Sequence, residues 1–178
     1  MTKNITVCSL FSALICVGAF IRIPLPALSI TLQVLFVLLA GMLLGAKKAI
    51  ISTVIYIAVG LAGLPVFSAG GGFSYIFNPR FGYLTGFIVS SAAVGIICRK
   101  KPCLKGYFIA GLIGVSVIYL FGITYYHLIC KYVIGQPVSA EFLFTYCFIT
   151  VIPGDLLSVI GAALLTARLR KIEICKFY

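Results

Sequence analysis

The stretch FITVIPGDLLSVIGAAL (Phe148 to Leu164) places a proline, a glycine and an aspartate in the middle of an apolar run. A carboxylate surrounded by hydrocarbon costs about 3 kcal/mol on insertion scales, so Asp155 is expected to face a bundle interior, a water-filled cavity or a ligand. Pro153 has no N–H and clashes with the carbonyl one turn earlier, which frees a backbone acceptor near Ile149. Gly154 lets another group approach the backbone. Ser158 and Ala162 follow at helical spacing and share the face of Asp155. Three uses stay open for this notch: recognition of a solute, coupling to a proton or ion, and a structural kink whose carboxylate bonds to neighbouring helices.

Other chemistry has little to work with. The chain holds three acids, and Glu141 and Glu173 fall at the ends of the last apolar run. No second carboxylate pairs with Asp155 inside the apolar runs. His127 stands alone near the outer end of the fifth run, where it reads as an interfacial residue. No serine shares a motif with it, and no phosphate loop or metal-ligand cluster is present, so no catalytic residue, metal or cofactor is expected. The seven cysteines form no C-x-x-C pair and read as small hydrophobes. Without a nucleotide motif, uphill movement of a solute needs a partner or an ion gradient.

The elements that must hold Asp155 follow from composition. Of 178 residues, 62% are hydrophobic and 10% charged, far from a soluble domain with about a quarter charged. Lipid is therefore the expected solvent. Six apolar runs can be marked by their breakers, at about 5–23, 31–44, 49–64, 81–98, 106–134 and 141–170. Pro24 and Pro26, Gly45, Pro65, RKKPCLK, GQP and RLRKIEICK close them in turn. The first run continues to Ile23 without a clean small-x-small site, so it is expected to be a retained helix rather than a signal peptide.

The net charge of +11 could suggest nucleic acid, but the basic residues sit at the ends of apolar runs and form no basic face. They are expected to meet lipid headgroups and to set topology. Lys3, Lys47, Lys48, Arg99, Lys100, Lys101, Lys105, Arg168, Arg170, Lys171 and Lys176 fall on one side, and Arg22, Arg80 and Lys131 on the other. The positive-inside rule then puts both termini in the cytoplasm, which an even number of spans satisfies. The expected fold is all-α: one polytopic domain over 1–178, a six-transmembrane-helix bundle.

The outer connections are unusual. PLPALSIT joins the first two runs, and PVFSAGGGFSYIFNPR joins the third and fourth. Three consecutive glycines free the backbone, and Pro65 and Pro79 stiffen the ends. Phe67, Phe73, Tyr75, Ile76 and Phe77 need somewhere to go, either over the bundle as a lid or into the interfacial belt. In the first run, Ser9 with Ala13 and Ser12 with Cys16 place small residues one turn apart, which permits close helix approach in lipid, within the chain or to a partner.

Taken in order, IRIPLPALSITLQVLFVLLAGMLLGAKKA, YIAVGLAGLPVFSAGGGF, NPRFGYLTGF and IPGDLL resemble the BioY family. That family comprises the biotin-specific S-components of energy-coupling factor (ECF) transporters, and the likeness covers nearly the whole chain. It implies a six-helix subunit of a bacterial cytoplasmic membrane that captures biotin from outside. It also implies docking on a transmembrane coupling subunit with two ATPase subunits, which hydrolyse the ATP. Under this resemblance Asp155 accepts a ureido N–H, and Asn78 serves the bicyclic head or else starts a turn before Phe81. Backbone N–H groups of Gly70, Gly71 and Gly72, or Arg80, meet the valerate carboxylate, and Tyr83, Phe67, Phe73 and Gln33 line the site. Many relatives carry a lysine one turn after the aspartate, where this chain has Ser158, so a cation that would balance Asp155 is missing. The first helix also lacks a clean alanine-x-x-x-alanine pattern; Ser9/Ala13 and Ser12/Cys16 are its nearest substitutes for partner docking. The alternatives are an S-component for another small cofactor or lipoyl-like acid, and a stand-alone carrier or structural membrane protein.

Overall fold

A computed structural model describes residues 2–24 and 28–171. Six helices make up the described chain: α1 (Thr2–Phe20), α2 (Gln33–Leu44), α3 (Ala46–Leu61), α4 (Phe81–Lys100), α5 (Leu104–Tyr132) and α6 (Ala140–Lys171). Pro26, Glu173, Cys175 and Lys176 lie outside the described residues. Large apolar side chains cover the outside of the bundle, among them Phe20, Leu120 and Leu157, the last 71% exposed. Such a surface suits hydrocarbon rather than water.

The six-helix bundle is as expected, and among the described residues α4, α5 and α6 are the helices long and apolar enough to cross a membrane by length and composition. At 1.5 Å per residue, the twelve residues of α2 rise about 18 Å, well short of a hydrocarbon core of about 30 Å. Its surroundings explain why this is tolerated. The helix packs against α1, α3, α4 and α6, and nearly all of it is buried. A helix apolar on every side belongs inside a bundle, where protein rather than lipid sets the length that is needed.

The sharp elbow from α2 to α3 is made by Gly45, at φ 76° and ψ 169°, a conformation that favours glycine. Leaving the elbow, α3 runs parallel to α1: Cys8 Sγ donates to the Lys48 carbonyl (3.6 Å), and Ser12 Oγ donates to the Ser52 carbonyl (2.6 Å). Ser12 and Cys16 therefore turn toward α3, whereas Ser9 and Ala13 are exposed on the outer side of α1. The two small-residue pairs do different things: one packs inside the chain and the other remains open.

Glycines set the closeness of α4, α5 and the elbow. A Cβ on Gly82 would lie 2.2 Å from Tyr125 Cβ, and one on Gly95 would lie 2.3 Å from the Ala46 backbone nitrogen. Small residues at such points let helix backbones approach where no hydrophobic effect drives them together. Arg170 closes the same end: its Nη2 donates to the Met42 carbonyl (2.5 Å) at the finish of α2, with the guanidinium over the Tyr107 ring. The start of α1, the elbow, the end of α4 and the end of α6 thus gather at one end of the bundle, together with most of the basic residues.

The opposite end carries structure that the breakers alone did not announce. PLPALSIT contributes to a short antiparallel hairpin of β1 (Arg22–Pro24) and β2 (Ser29–Thr31), with Arg22 facing Thr31 and Ile23 facing Ile30. The long α3–α4 loop folds back on itself. Phe67 and Gly70 exchange backbone hydrogen bonds (2.9 and 3.2 Å), and the Gly72 N–H returns to the Gly60 carbonyl (2.8 Å). Gly70 and Gly72 have φ of 120° and 101°, and a Cβ on Gly71 would strike the Leu64 carbonyl oxygen at 2.1 Å. The loop aromatics then divide between the two expected roles. Phe67 and Tyr75 pack inward, with ring centroids 4.6 Å apart, while Phe73 and Phe77 stay 70% and 57% exposed. Tyr125 Oη, donating to the Ile76 carbonyl (2.5 Å), pins the 3-10 segment Phe73–Phe77 to α5.

These contacts separate two glycines that sequence treats alike. A Gly95→Ala substitution presses on elbow backbone and is expected to cost about 1–3 kcal/mol. Gly161→Ala meets only the Leu35 Cδ1 methyl at 3.0 Å and is expected to be neutral. Thermal unfolding of the two variants in detergent checks this; equal midpoints would mean the elbow is not tightly packed.

Candidate binding site

The notch in α6 begins one turn earlier than Pro153. After the first turn, Ala140–Phe144, the helix widens into a π segment, Thr145–Ile149, and resumes as α-helix over Ile152–Lys171. The Thr150 N–H reaches the Thr145 carbonyl (3.1 Å) and the Thr150 hydroxyl donates to the same oxygen (2.7 Å). A bulge of this kind accommodates the missing N–H of Pro153, since the regular ladder is already broken before it. Gly154 admits the group that the sequence left unnamed: a Cβ there would lie 2.3 Å from Ile30 Cγ2. The outer hairpin thus rests on α6 directly beside the aspartate.

Asp155 is 4% exposed. Tyr119 Oη, from the middle of α5, donates to its Oδ2 at 2.6 Å. An ionised carboxylate can accept about four hydrogen bonds, so one tyrosine leaves acceptor capacity to spare. The carboxylate borders a cavity of about 60 Å³ between α2, α4, α5, α6, the hairpin and the loop. Tyr83, Tyr119, Gln33 and Thr31 supply polar atoms to its wall, and Arg80 and Tyr75 join them from the loop side. Val34, Leu84, Phe87 and Ile118 form apolar wall. The cavity therefore combines one acid, one base and hydroxyl groups within an apolar shell, which is the composition of a small-molecule site.

Several polar groups on this wall are already oriented. Gln33 Nε2 donates to Tyr56 Oη (2.6 Å), and the Thr31 hydroxyl donates to Gln33 Oε1 (3.5 Å). Tyr83 Oη reaches the Cys147 carbonyl at 3.5 Å. The Tyr119 ring sits edge-on to Phe148, with centroids 5.2 Å apart, and edge-on to Tyr83 at 6.4 Å. Aromatic neighbours on two sides hold its hydroxyl toward the carboxylate.

Of the residues singled out from sequence, Asp155, Arg80, Tyr83 and Gln33 meet at this cavity. Others stand apart. Asn78 Oδ1 accepts the Arg80 backbone N–H (3.0 Å), and its carbonyl accepts from the Phe81 N–H (2.9 Å). It starts the turn into α4, the second of its two expected roles. Ser158 is buried one turn below Asp155, its hydroxyl returned to the Gly154 carbonyl at 3.1 Å. The Gly72 N–H is spent on Gly60, Gly71 packs on Leu64, and Phe73 points outward, so these three are not among the wall residues. The reason is steric: the glycines serve to fold the loop rather than to present its amides. Tyr119 and Tyr75 were missed. Tyr119 had a signal, because it lies mid-span in α5 whereas Tyr107, Tyr125, Tyr126 and Tyr132 lie nearer the helix ends. A buried tyrosine hydroxyl needs a partner.

The BioY family model matches residues 1–173. A probable biotin transporter BioY of Lysinibacillus sphaericus is 38% identical over 173 residues, covering 96% of this chain and 88% of the relative. The biotin transporter BioY of Thermotoga maritima is 36% identical over 170 residues, covering 93% and 94% of the two chains. Among solved structures, the S-component for biotin from an ECF-type ABC transporter superposes with a TM-score of 0.74 at 26% identity, covering 96% of this chain and 92% of that one.

The Tyr119–Asp155 pair can be weighed directly. Tyr119→Phe removes a donor from a buried carboxylate and is expected to lower stability by about 1–3 kcal/mol. Combined with Asp155→Leu, the loss should fall short of the sum by at least about 0.5 kcal/mol. A double-mutant cycle on unfolding in detergent reads this, and strict additivity would mean that the two side chains do not interact.

Proposed function

The chain belongs to the BioY family, and from that premise we propose that it binds biotin with high affinity and admits it across the membrane as the S-component of an ECF-type ABC transporter. It is a transporter subunit and not an enzyme. One observation carries the site assignment: a buried carboxylate with spare acceptor capacity borders a cavity whose other wall holds Arg80. Biotin has matching chemistry, with ureido N–H donors on its bicyclic head and a carboxylate at the end of its valerate chain. Asp155 accepts from the ureido N–H, a charge-assisted bond stronger than a neutral one. Tyr119 holds the other carboxylate oxygen and fixes the direction of the first. Arg80 meets the valerate carboxylate from the loop side, and the hydroxyls of Tyr83 and Thr31 turn from their long 3.5 Å bonds to the Cys147 carbonyl and Gln33 Oε1 to donate to the ureido oxygen.

The absence of a lysine at Ser158 is compatible with this reading. Tyr119 supplies the donor that steadies Asp155, without adding a second charge to an apolar wall. The cavity as it stands has room for a few waters, at about 10–15 Å³ each. Biotin therefore enters by displacing the hairpin and the α3–α4 loop, whose seats are the Ile30 side chain on Gly154 and, on Gly60, the Phe67 ring with one backbone hydrogen bond, rather than long ladders.

The protein resides in a bacterial cytoplasmic membrane with both termini inside. The gathering of Lys47, Lys48, Arg99, Lys100 and Arg170 at the end where α1 starts and α6 finishes supports that orientation. Energy comes from outside the chain, through a transmembrane coupling subunit and two ATPase subunits that dock at this end, with the exposed Ser9/Ala13 side of α1 available to the coupling subunit.

Labelled biotin should bind the detergent-purified protein tightly, and a lipoyl-like acid should compete poorly. Asp155→Asn should weaken binding at least about tenfold, equivalent to about 1.4 kcal/mol, because a charged acceptor is lost. Unchanged affinity would remove the aspartate from the site, and preference for the competitor would reassign the ligand. Asn78→Ala should have a smaller effect, by loosening the turn that carries Arg80.

A further inference from the structure

We propose that Tyr56, a residue of α3 behind the cavity wall, is a positioning residue that fixes the Gln33 amide with its oxygen toward the ligand, where that oxygen accepts the second ureido N–H. This rests on the biotin reading above and names the group that meets the donor left over once Asp155 has taken the first.

Proton inventory decides which end of the amide faces the cavity. The Tyr56 hydroxyl has one proton, and it goes to the Val66 carbonyl (3.3 Å). Its oxygen is left to accept, so Gln33 meets it through Nε2, which donates at 2.6 Å. The amide oxygen then lies on the other side, beside the Thr31 hydroxyl at 3.5 Å. Gln33 and Thr31 both line the cavity. A flipped amide would set two oxygens against each other at the 2.6 Å contact with no proton between them. The support is rigid as well. Tyr56 is fully buried, and its ring stands edge-on to Phe67 with centroids 5.5 Å apart. Phe67 in turn rests on Gly60, one turn further along α3.

The edge of a cyclic urea matches this wall. Its carbonyl oxygen and its N–H groups are neighbours, and so are the Thr31 hydroxyl and Gln33 Oε1. When Thr31 turns to the ureido oxygen, Gln33 Oε1 loses its donor and is free to accept the adjacent N–H. An acceptor held in place favours an N–H and repels an oxygen at the same position, whereas an amide free to turn takes either.

The test measures dissociation constants of the full chain in detergent for biotin and for its two cyclic carbamate isomers, each with one ureido N–H replaced by a ring oxygen. Tyr56→Phe keeps the ring and removes the hydroxyl. It should lower the preference for biotin over one isomer at least about tenfold, with biotin bound more weakly and that isomer more tightly. The preference over the other isomer, whose missing N–H is the one that Asp155 accepts, should not change. Gln33→Leu should lower the same preference, and adding Tyr56→Phe to it should change nothing further. Because Gln33→Leu removes the amide without touching Tyr56, it decides the matter even where Tyr56→Phe lowers the unfolding midpoint. Equal weakening of all three ligands would make the role of these residues purely structural and overturn the proposal, as would additive effects of the two substitutions. Unmoved preferences alongside the expected loss in Asp155→Asn would overturn this inference alone. No binding of biotin by the unsubstituted chain would overturn it together with the reading beneath it.

Discussion

The structure depends on keeping a single carboxylate inside an apolar bundle. Asp155 is tolerable there because Tyr119 donates to one of its oxygens and because the other side opens on a polar-walled cavity. Each neighbouring irregularity follows from that requirement. The π segment and Pro153 break the regular helix before the aspartate, and Gly154 makes room for the hairpin. The tyrosines from α4 and α5 bring hydroxyls to a level of the bundle that is otherwise hydrocarbon. The cost of the charge is met by local polarity, and that polarity is what a polar solute can use.

The opposite end solves a different problem. There the helices are drawn together by backbone contacts at Gly95 and by the Arg170 bond to the end of α2. An arginine at the last turn of α6 satisfies a carbonyl that α2 leaves open at Gly45, and its ring contact with Tyr107 holds it in place. The short central helix is thereby anchored at its inner finish, while its outer start carries Gln33 to the cavity wall. A rigid inner end and an outer end made of loop and hairpin give the bundle one firm pole and one yielding pole.

Much of this was legible in the residues. Six apolar runs and their breakers gave the six helices within a few residues, and the lone mid-span acid pointed to the helix that borders the cavity. Arg80, Tyr83 and Gln33 were named on the family resemblance, and all three line the cavity beside Asp155. What escaped depends on tertiary contact. The run Thr31–Leu44 is visibly short, but nothing in it says that it is wrapped by other helices. The triple glycine looked like open backbone, yet its amides and its missing Cβ atoms are used to fold the loop, which only the positions of Gly60 and Leu64 reveal. Prolines hid the hairpin, and Tyr119 was lost among other tyrosines although its mid-span level set it apart.

The seating of Ile30 on Gly154 has an electrical consequence. While the hairpin rests there, the neighbourhood of Asp155 is poorly polarisable, and a hydrogen bond to its charge is stronger than it would be in water. Lifting the hairpin floods the same spot with solvent and weakens that bond. The position of a few outer residues therefore sets the local dielectric around the carboxylate.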